Sequence, residues 1–92
     1  MNVRFKARAL RHIEKIHEFI SAHDPAAAKR TVQRIEHSIG RLAFLPLSAR
    51  PGIVEGTRIL VVPGLPYVVI YRVGDDTIDI IAILHTARRR RS

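Results

Sequence analysis

The chain has 92 residues, 47% of them hydrophobic, and a formal net charge of +8. A chain of this length forms one small domain with a two-layer core, which excludes a multidomain enzyme with a deep interdomain cleft. The lack of cysteine excludes disulfides, thiolate catalysis and Cys-ligated metal sites, while thirteen of the sixteen basic residues are arginine, which favours an acidic partner, either a nucleic acid or a protein.

The first half of the chain predicts a strand and two helices. Val3 and Phe5 alternate with polar residues, as in a short strand. Apolar residues then recur at helical spacing over residues 7–22, and Asp24 with Pro25 predicts the N-cap and first turn of a second helix. Steps of four and three between its apolar positions predict that it packs against the first helix as an αα-hairpin. The apolar positions are Leu10, Ile13, Ile16 and Ile20 in the first helix, and Ala28, Val32, Ile35, Ile39 and Leu42 in the second.

The second half of the chain predicts a sheet. Residues 47–52 are expected to form a loop, because the prolines and glycine around them prevent regular structure. Runs of β-branched and aromatic residues predict strands at 58–62, 67–73 and 77–85. The predicted order is β-α-α-β-β-β, an α+β domain over residues 1–87 with a two-helix hairpin packed on a small antiparallel sheet. Residues 88–92 are expected to form a basic C-terminal tail.

Several segments carry a family resemblance. They are the apolar pattern of the first helix over residues 9–20, DPAAA at 24–28, GTR at 56–58, and PYVVIYRV at 66–73 followed by ILHTAR at 83–88. In this order and spacing they resemble the RelE/ParE superfamily of toxins from bacterial type II toxin–antitoxin systems. The resemblance implies a compact toxin of the RelE/ParE fold. It also implies a cognate antitoxin that wraps its C-terminal segment around the toxin in a hetero-oligomer.

Position 68 bears on the two activities of this superfamily. RelE-like members cleave mRNA on the ribosome by driving the ribose 2′-OH onto the adjacent phosphate, which requires a proton acceptor, a proton donor and a cation. Their pattern places an arginine directly after the aromatic residue of the third strand, whereas here Tyr67 is followed by Val68. The resemblance therefore favours a ParE-like toxin that inhibits DNA gyrase by binding and is not an enzyme. In such a binder, Val68→Arg is expected to perturb only the surface.

Two alternatives stay open beside the gyrase inhibitor. The first is a ribosome-dependent mRNA endoribonuclease of RelE type, in which His85, Arg88 and Arg72 substitute for the missing arginine, with Glu55 near the sheet. The second is an inactive basic binding module.

The basic residues around the sheet are the candidates for partner binding. The target-binding candidates are Arg58, His85, Arg88, Arg89, Arg90 and Arg91, and the antitoxin-binding candidates are Arg58, Arg72 and Arg88. Arg58 fits equally well a structural role, hydrogen bonding to the backbone carbonyls of a loop. Tyr67 and Tyr71 share one strand face and are expected in the core.

We expect no metal, no cofactor and no membrane attachment. The histidines at 12, 17, 23 and 37 form no helical i, i+4 ligand pair, and the glycines are too dispersed for a phosphate-binding loop. The longest apolar run, within residues 79–85, is far below the roughly 18–20 residues of a membrane span. Residues 1–6 lack the apolar core of a signal peptide, so we expect a cytoplasmic protein.

Overall fold

The elements follow the predicted order, with a short strand and a short helix added. In the computed structural model, which describes residues 1–89 and the side chains of residues 1–87, they are β1 (Asn2–Phe5), α1 (Ala7–Ser21), α2 (Pro25–Arg41), β2 (Arg50–Pro51), β3 (Thr57–Val61), β4 (Tyr67–Val73), β5 (Thr77–His85) and α3 (Thr86–Arg89). The prediction of a loop over residues 47–52 is wrong at residues 50 and 51, which form β2 and pair with β3. A proline is tolerated there because β2 is an edge strand. Residues 90–92 of the expected tail lie outside the described residues.

The start of α2 confirms the predicted cap. The Ala27 N–H donates a hydrogen bond of 3.0 Å to Asp24 Oδ1, and Pro25 occupies the first turn. The cap satisfies one of the free amides at this end of the helix, and the proline loses nothing there because its missing N–H would have had no partner.

The sheet has the strand order β1-β5-β4-β3-β2. The expected two-helix hairpin on a sheet is confirmed, but the sheet is mixed and not antiparallel throughout, because β1 pairs with β5 in parallel. Parallel neighbours require a long crossover connection, and here the rest of the chain between the two strands provides it. The other three pairs of strands are antiparallel.

The core lies between α2 and the middle of the sheet. Tyr67, Val69 and Tyr71 of β4 belong to one buried cluster with α2, as expected for the two tyrosines. The α2 members of that cluster are Ile35, Ile39 and Leu42. In α1 only Ala9 is fully buried, while Leu10 is 48% exposed, so the predicted inward position of Leu10 is wrong. The face of α1 toward the sheet is narrower than its apolar residues suggest.

A β-bulge in β5 sets which of its residues face the helices. Tyr71 pairs with Ile80 and Ile70 pairs with Ala82, so Ile81 is an extra residue. The bulge reverses the alternation, and Ile83 joins the helix-facing cluster beside Ile80. His85, two residues further, therefore lies on the helix side as well.

We expect Ile35→Ala to lower the free energy of unfolding by about 2–5 kcal/mol. The Ile35 side chain is fully buried in the cluster that α2 forms with the sheet, and its truncation leaves a cavity there. Leu10→Ala is the matched control, since a half-exposed side chain leaves no closed cavity. Urea denaturation of both variants, compared with the wild type, measures the difference. An unchanged midpoint for Ile35→Ala would contradict the position of α2.

Candidate functional site

At the end of the sheet where β3 begins and β4 ends, two side chains hold a loop. Arg58 and Tyr71 are cross-strand partners. The Tyr71 hydroxyl donates a hydrogen bond of 2.8 Å to the Pro46 carbonyl, and Arg58 Nη1 donates one of 2.8 Å to the Ala49 carbonyl. Burial raises the pKa of Tyr71, so its hydroxyl stays a donor. Arg58 thus makes the hydrogen bond to a loop carbonyl that the structural role predicted for it requires.

The loop held in this way exposes apolar side chains. We call Phe44, Leu45, Leu47, Ile53 and Val54 the apolar loop surface; each is between 56% and 88% exposed. Ile53 and Val54 lie in a neighbouring turn closed by hydrogen bonds from the Gly52 N–H to the Thr57 carbonyl and from Thr57 Oγ1 to the Val54 carbonyl. Large apolar side chains exposed on neighbouring loops are a common feature of protein–protein interaction sites.

Arg72 adds a positive charge beside this surface. It pairs with Thr57 in β3 and with Asp79 in β5, on the sheet face away from the helices. A Cβ at Gly56, whose φ is +84°, would lie 3.7 Å from Arg72 Nε, so this guanidinium lies close to the turn that carries Ile53 and Val54. Arg58 and Arg72, two of the three antitoxin candidates, are therefore at the same end of the sheet but on opposite faces.

His85 lies at the other end of the sheet. Its ring meets that of Tyr67 edge to face, with 5.4 Å between the centroids, and its Nδ1 accepts a hydrogen bond of 3.1 Å from the Ala87 N–H. Tyr67 and Arg72 are five positions apart on β4, which corresponds to roughly 17 Å. The structure therefore does not bring His85 and Arg72 together. Glu55, exposed in the 52–57 turn, is at the Arg72 end.

The other basic candidates fall where no side-chain geometry is described. The backbone of Arg88 and Arg89 continues β5 as α3, which places these two residues at the His85 end. Arg90 and Arg91 lie outside the described residues. Of the six target-binding candidates, the described side chains are those of Arg58 and His85, which are at opposite ends of the sheet.

Val68 is buried on the outer face of the sheet. It is 2% exposed and lies between Val61 of β3 and Leu84 of β5. An arginine at this position would bring a charge into an apolar environment with no carboxylate opposite it, which is costly. The expectation that Val68→Arg perturbs only the surface is therefore wrong.

His12 has a role that the sequence analysis missed. β1 pairs with β5 only as far as Ile80, and beyond this point α1 lies along the β5 edge. There the Ile83 N–H donates a hydrogen bond of 3.1 Å to His12 Nδ1. Partial burial, together with Arg8, Arg11 and Lys15, lowers the pKa of His12. Its position beside Ile13 and one turn after Ala9 is the only sequence signal that could have indicated this contact.

Two further features of the described residues concern membrane spans and metal sites. No helix within residues 1–89 has both the length and the apolar character needed to cross a membrane. In the same part of the chain, no group of three histidine or acidic side chains is arranged to hold a metal ion.

Comparison with known proteins gives matches along nearly the whole chain. Residues 3–90 match the family model described as the ParE toxin of the type II toxin–antitoxin system parDE. Toxin Y4kP of Sinorhizobium fredii is 40% identical over 83 residues, which are 90% of this chain and 85% of that protein. Toxin RelE2 of Caulobacter vibrioides is 35% identical over 81 residues, 88% of this chain and 90% of that protein.

Two solved structures have a similar fold. A chain of the chromosomal ParDE toxin–antitoxin system from P. aeruginosa gives a TM-score of 0.84 at 24% identity, covering 92% of this chain and 95% of that chain. The toxin–antitoxin complex RelBE2 from Mycobacterium tuberculosis gives a TM-score of 0.62 at 26% identity, covering 91% and 95%. The larger TM-score belongs to the ParDE structure.

We expect the stability of the protein to fall as the pH is lowered from about 7.5 to 5, partly because of His12. Its pKa in the folded state is below the value of 6.5 in an unfolded chain, so the unfolded state binds the proton first and is favoured as the pH drops through 6.5. A protonated Nδ1 also cannot accept the Ile83 N–H.

His12→Gln is the matched variant, since its side-chain oxygen accepts a hydrogen bond and does not titrate. Urea unfolding at several pH values should give a shallower pH dependence for His12→Gln than for the wild type, with the other four histidines common to both. Identical pH dependence in the two proteins would contradict this role.

Proposed function

The chain belongs to the ParE toxin family of type II toxin–antitoxin systems, and from this membership we propose that it inhibits DNA gyrase by binding. The observation that carries the proposal is Val68. RelE-like ribonucleases resemble this chain but have an arginine at the matching position, where the cation assists phosphoryl transfer. Here that position holds a valine enclosed by Val61 and Leu84.

The placement of the other candidates supports binding over catalysis. Acid–base cleavage needs its proton carriers and a cation within hydrogen-bond reach of one phosphate. His85 is roughly 17 Å along the sheet from Arg72, and Glu55 is at the Arg72 end. His85 Nδ1 is engaged by the Ala87 N–H. A binding protein needs none of these groups to converge.

The ribonuclease is the second candidate. Its support is the similarity to Toxin RelE2 and to the RelBE2 complex, together with the position of Arg88 three residues after His85 at the same end of the sheet. The two candidates differ in what they do to the cell and in their dependence on one histidine.

We expect the purified protein to inhibit supercoiling by DNA gyrase and to leave mRNA intact on translating ribosomes. His85→Ala should retain the toxicity of the wild type on induced expression, because recognition of a large partner does not depend on one proton carrier. His23→Ala, an exposed histidine in the α1–α2 turn, is the control for loss of any imidazole. Cleavage of ribosome-bound mRNA that is lost in His85→Ala but not in His23→Ala would overturn the gyrase proposal.

A cognate antitoxin is the second partner that we propose, with the apolar loop surface as its contact. The surface is apolar, and both of its loops are held in place, one by Arg58 and Tyr71 and the other by the hydrogen bonds of Thr57, so little conformational entropy is lost when a partner binds. Arg72 supplies a charge at its border for an acidic group of the antitoxin. Arg88 is at the far end of the sheet and would be reached only by an antitoxin segment that spans the domain.

We expect the double variant Leu47→Ser with Ile53→Ser to bind the antitoxin at least about 100-fold more weakly, because each apolar side chain buried in an interface contributes roughly 1.5–3 kcal/mol. Phe19→Ser, which removes a 73% exposed side chain from α1, is the control and should bind as the wild type does. Surface-immobilised antitoxin gives both the affinity and the association rate. That rate should fall between about 50 and 500 mM salt as the arginine charges are screened. Equal weakening in Phe19→Ser would contradict the placement of the surface.

A further inference from the structure

The solvent face of α2 carries a row of basic residues that the proposed function does not use. Residues 30, 34, 37 and 41 are spaced by four, three and four, so they share one side of the helix. They line an open depression of about 530 Å³ between α2 and Pro63. We call Arg30, Arg34, His37 and Arg41 the basic α2 face.

Arg34 is held in place at the centre of this face. Its Nη2 donates a hydrogen bond of 2.6 Å to the Pro63 carbonyl in the β3–β4 turn. Gly64, with φ of +74°, leaves room for the guanidinium, since a Cβ there would lie 2.7 Å from Arg34 Nη2. The contact uses one of the five N–H donors of the guanidinium and leaves others for a ligand. A side chain that is already ordered loses little entropy on binding.

The charges of the basic α2 face are not neutralised within the described part of the chain. The ion pairs found among the described side chains join Arg4 and Lys6 to Asp79, on the other face of the sheet. The hydrogen bond from Arg4 also lowers the pKa of Asp79. By contrast, the cleft between α1 and α2 is lined by Glu14 and Glu18. The basic α2 face is thus a positive region without an acidic partner among the described side chains, and its central arginine is fixed by the Pro63 carbonyl.

We propose that the basic α2 face binds the phosphodiester backbone of duplex nucleic acid. Arg30 and Arg41 are about 16 Å apart along the helix axis, so the three arginines meet a row of phosphates and not a single anion. Gln33 and Ser38 lie among them in the same depression and supply the neutral hydrogen bonds that commonly accompany phosphate contacts.

The composition of the face favours a nucleic acid over a protein and a duplex over a single strand. Its lining includes no large apolar side chain, since Ile35 and Ile39 of α2 are buried, so it offers no apolar core for a protein interface. It also has no Phe, Tyr or Trp on which an unpaired base could stack, and its one imidazole, that of His37, offers a single ring where single-strand recognition stacks successive bases on several. It is built from different elements than the apolar loop surface, so this proposal does not rest on gyrase inhibition.

The test is fluorescence anisotropy of a labelled 30-base-pair duplex, as DNA and as RNA of the same sequence, titrated with the full-length protein between about 50 and 300 mM salt. The triple variant Arg30→Gln, Arg34→Gln and Arg41→Gln removes the face. The matched control is a triple variant that removes the same charge from α1, with the substitutions Arg8→Gln, Arg11→Gln and Lys15→Gln. Each phosphate contact contributes roughly 0.9 to the slope of log K against log salt. The slope should therefore become shallower by about 2.7 in the first variant, which loses three contacts. It should change by less than 1 in the control.

Arg34 also contacts the Pro63 carbonyl, so its substitution affects the fold as well as binding. The double variant Arg30→Gln with Arg41→Gln separates the two effects, because neither residue makes a side-chain hydrogen bond among the described contacts. Its slope should become shallower by about 1.8. Binding of both duplexes supports backbone recognition, and preference for one identifies the source. Equal changes in the α1 and α2 variants, tighter binding of the corresponding single strand, or no salt-dependent binding by the wild type would overturn the proposal without affecting gyrase inhibition.

Discussion

The central strand β4 is buried on both faces, and the rest of the structure is arranged around this constraint. Tyr67, Val69 and Tyr71 pack beneath α2, while Val68 is enclosed on the opposite face by its cross-strand neighbours. The first five positions of β4 therefore have no place for an unpaired charge. Arg72, nearly at the end of the strand, is its only charged residue, and it reaches solvent there. Position 68 is consequently a packing position in this chain.

The same packing divides the surface into regions of different chemistry. Tyr71 serves the core through its ring and the 42–49 loop through its hydroxyl, and Arg58 makes the second contact to that loop. These contacts keep the apolar side chains of the loop exposed to solvent, where they do not pack into a core. On α2, burial of Ile35 and Ile39 leaves the polar and basic residues of the basic α2 face on the opposite side of the helix. The apolar loop surface and the basic α2 face therefore differ in chemistry, and the proposals for a protein partner and for a nucleic acid rest on different parts of the molecule.

Local signals were sufficient for the longer helices and strands, but not for the short β2 and α3 or for the faces that the elements present. Asp24 and Pro25 act within one turn, so the start of α2 could be predicted. The boundaries of β4 and β5 could be predicted because glycine, proline and aspartate border runs of β-branched residues. The bulge at Ile81 could not, because every residue near it suits a strand and the extra residue is set by pairing with β4. His85 therefore could not be assigned to a face in advance.

Other failures have the same origin in nonlocal contacts. The parallel pairing of β1 with β5 joins residues about 75 positions apart. The exposure of Leu10 could not be predicted because an exposed apolar residue on a helix can have the same periodicity as one in the core. The hydrogen bond from the Ile83 N–H to His12 depends on where α1 lies over the sheet.

The edges of the sheet limit how a partner can attach to it. Beyond β1, the β5 edge is covered by α1, and His12 takes up the Ile83 N–H that an added strand would need. At the opposite side, β2 pairs with Arg58 and Ile59, so of the described β3 strand Leu60 and Val61 extend past it. Two residues offer too little backbone for strand addition as the main source of affinity. We therefore expect a protein partner at this edge to bind chiefly through side chains, and the exposed apolar ones at or beside it are Val61 and those of the apolar loop surface.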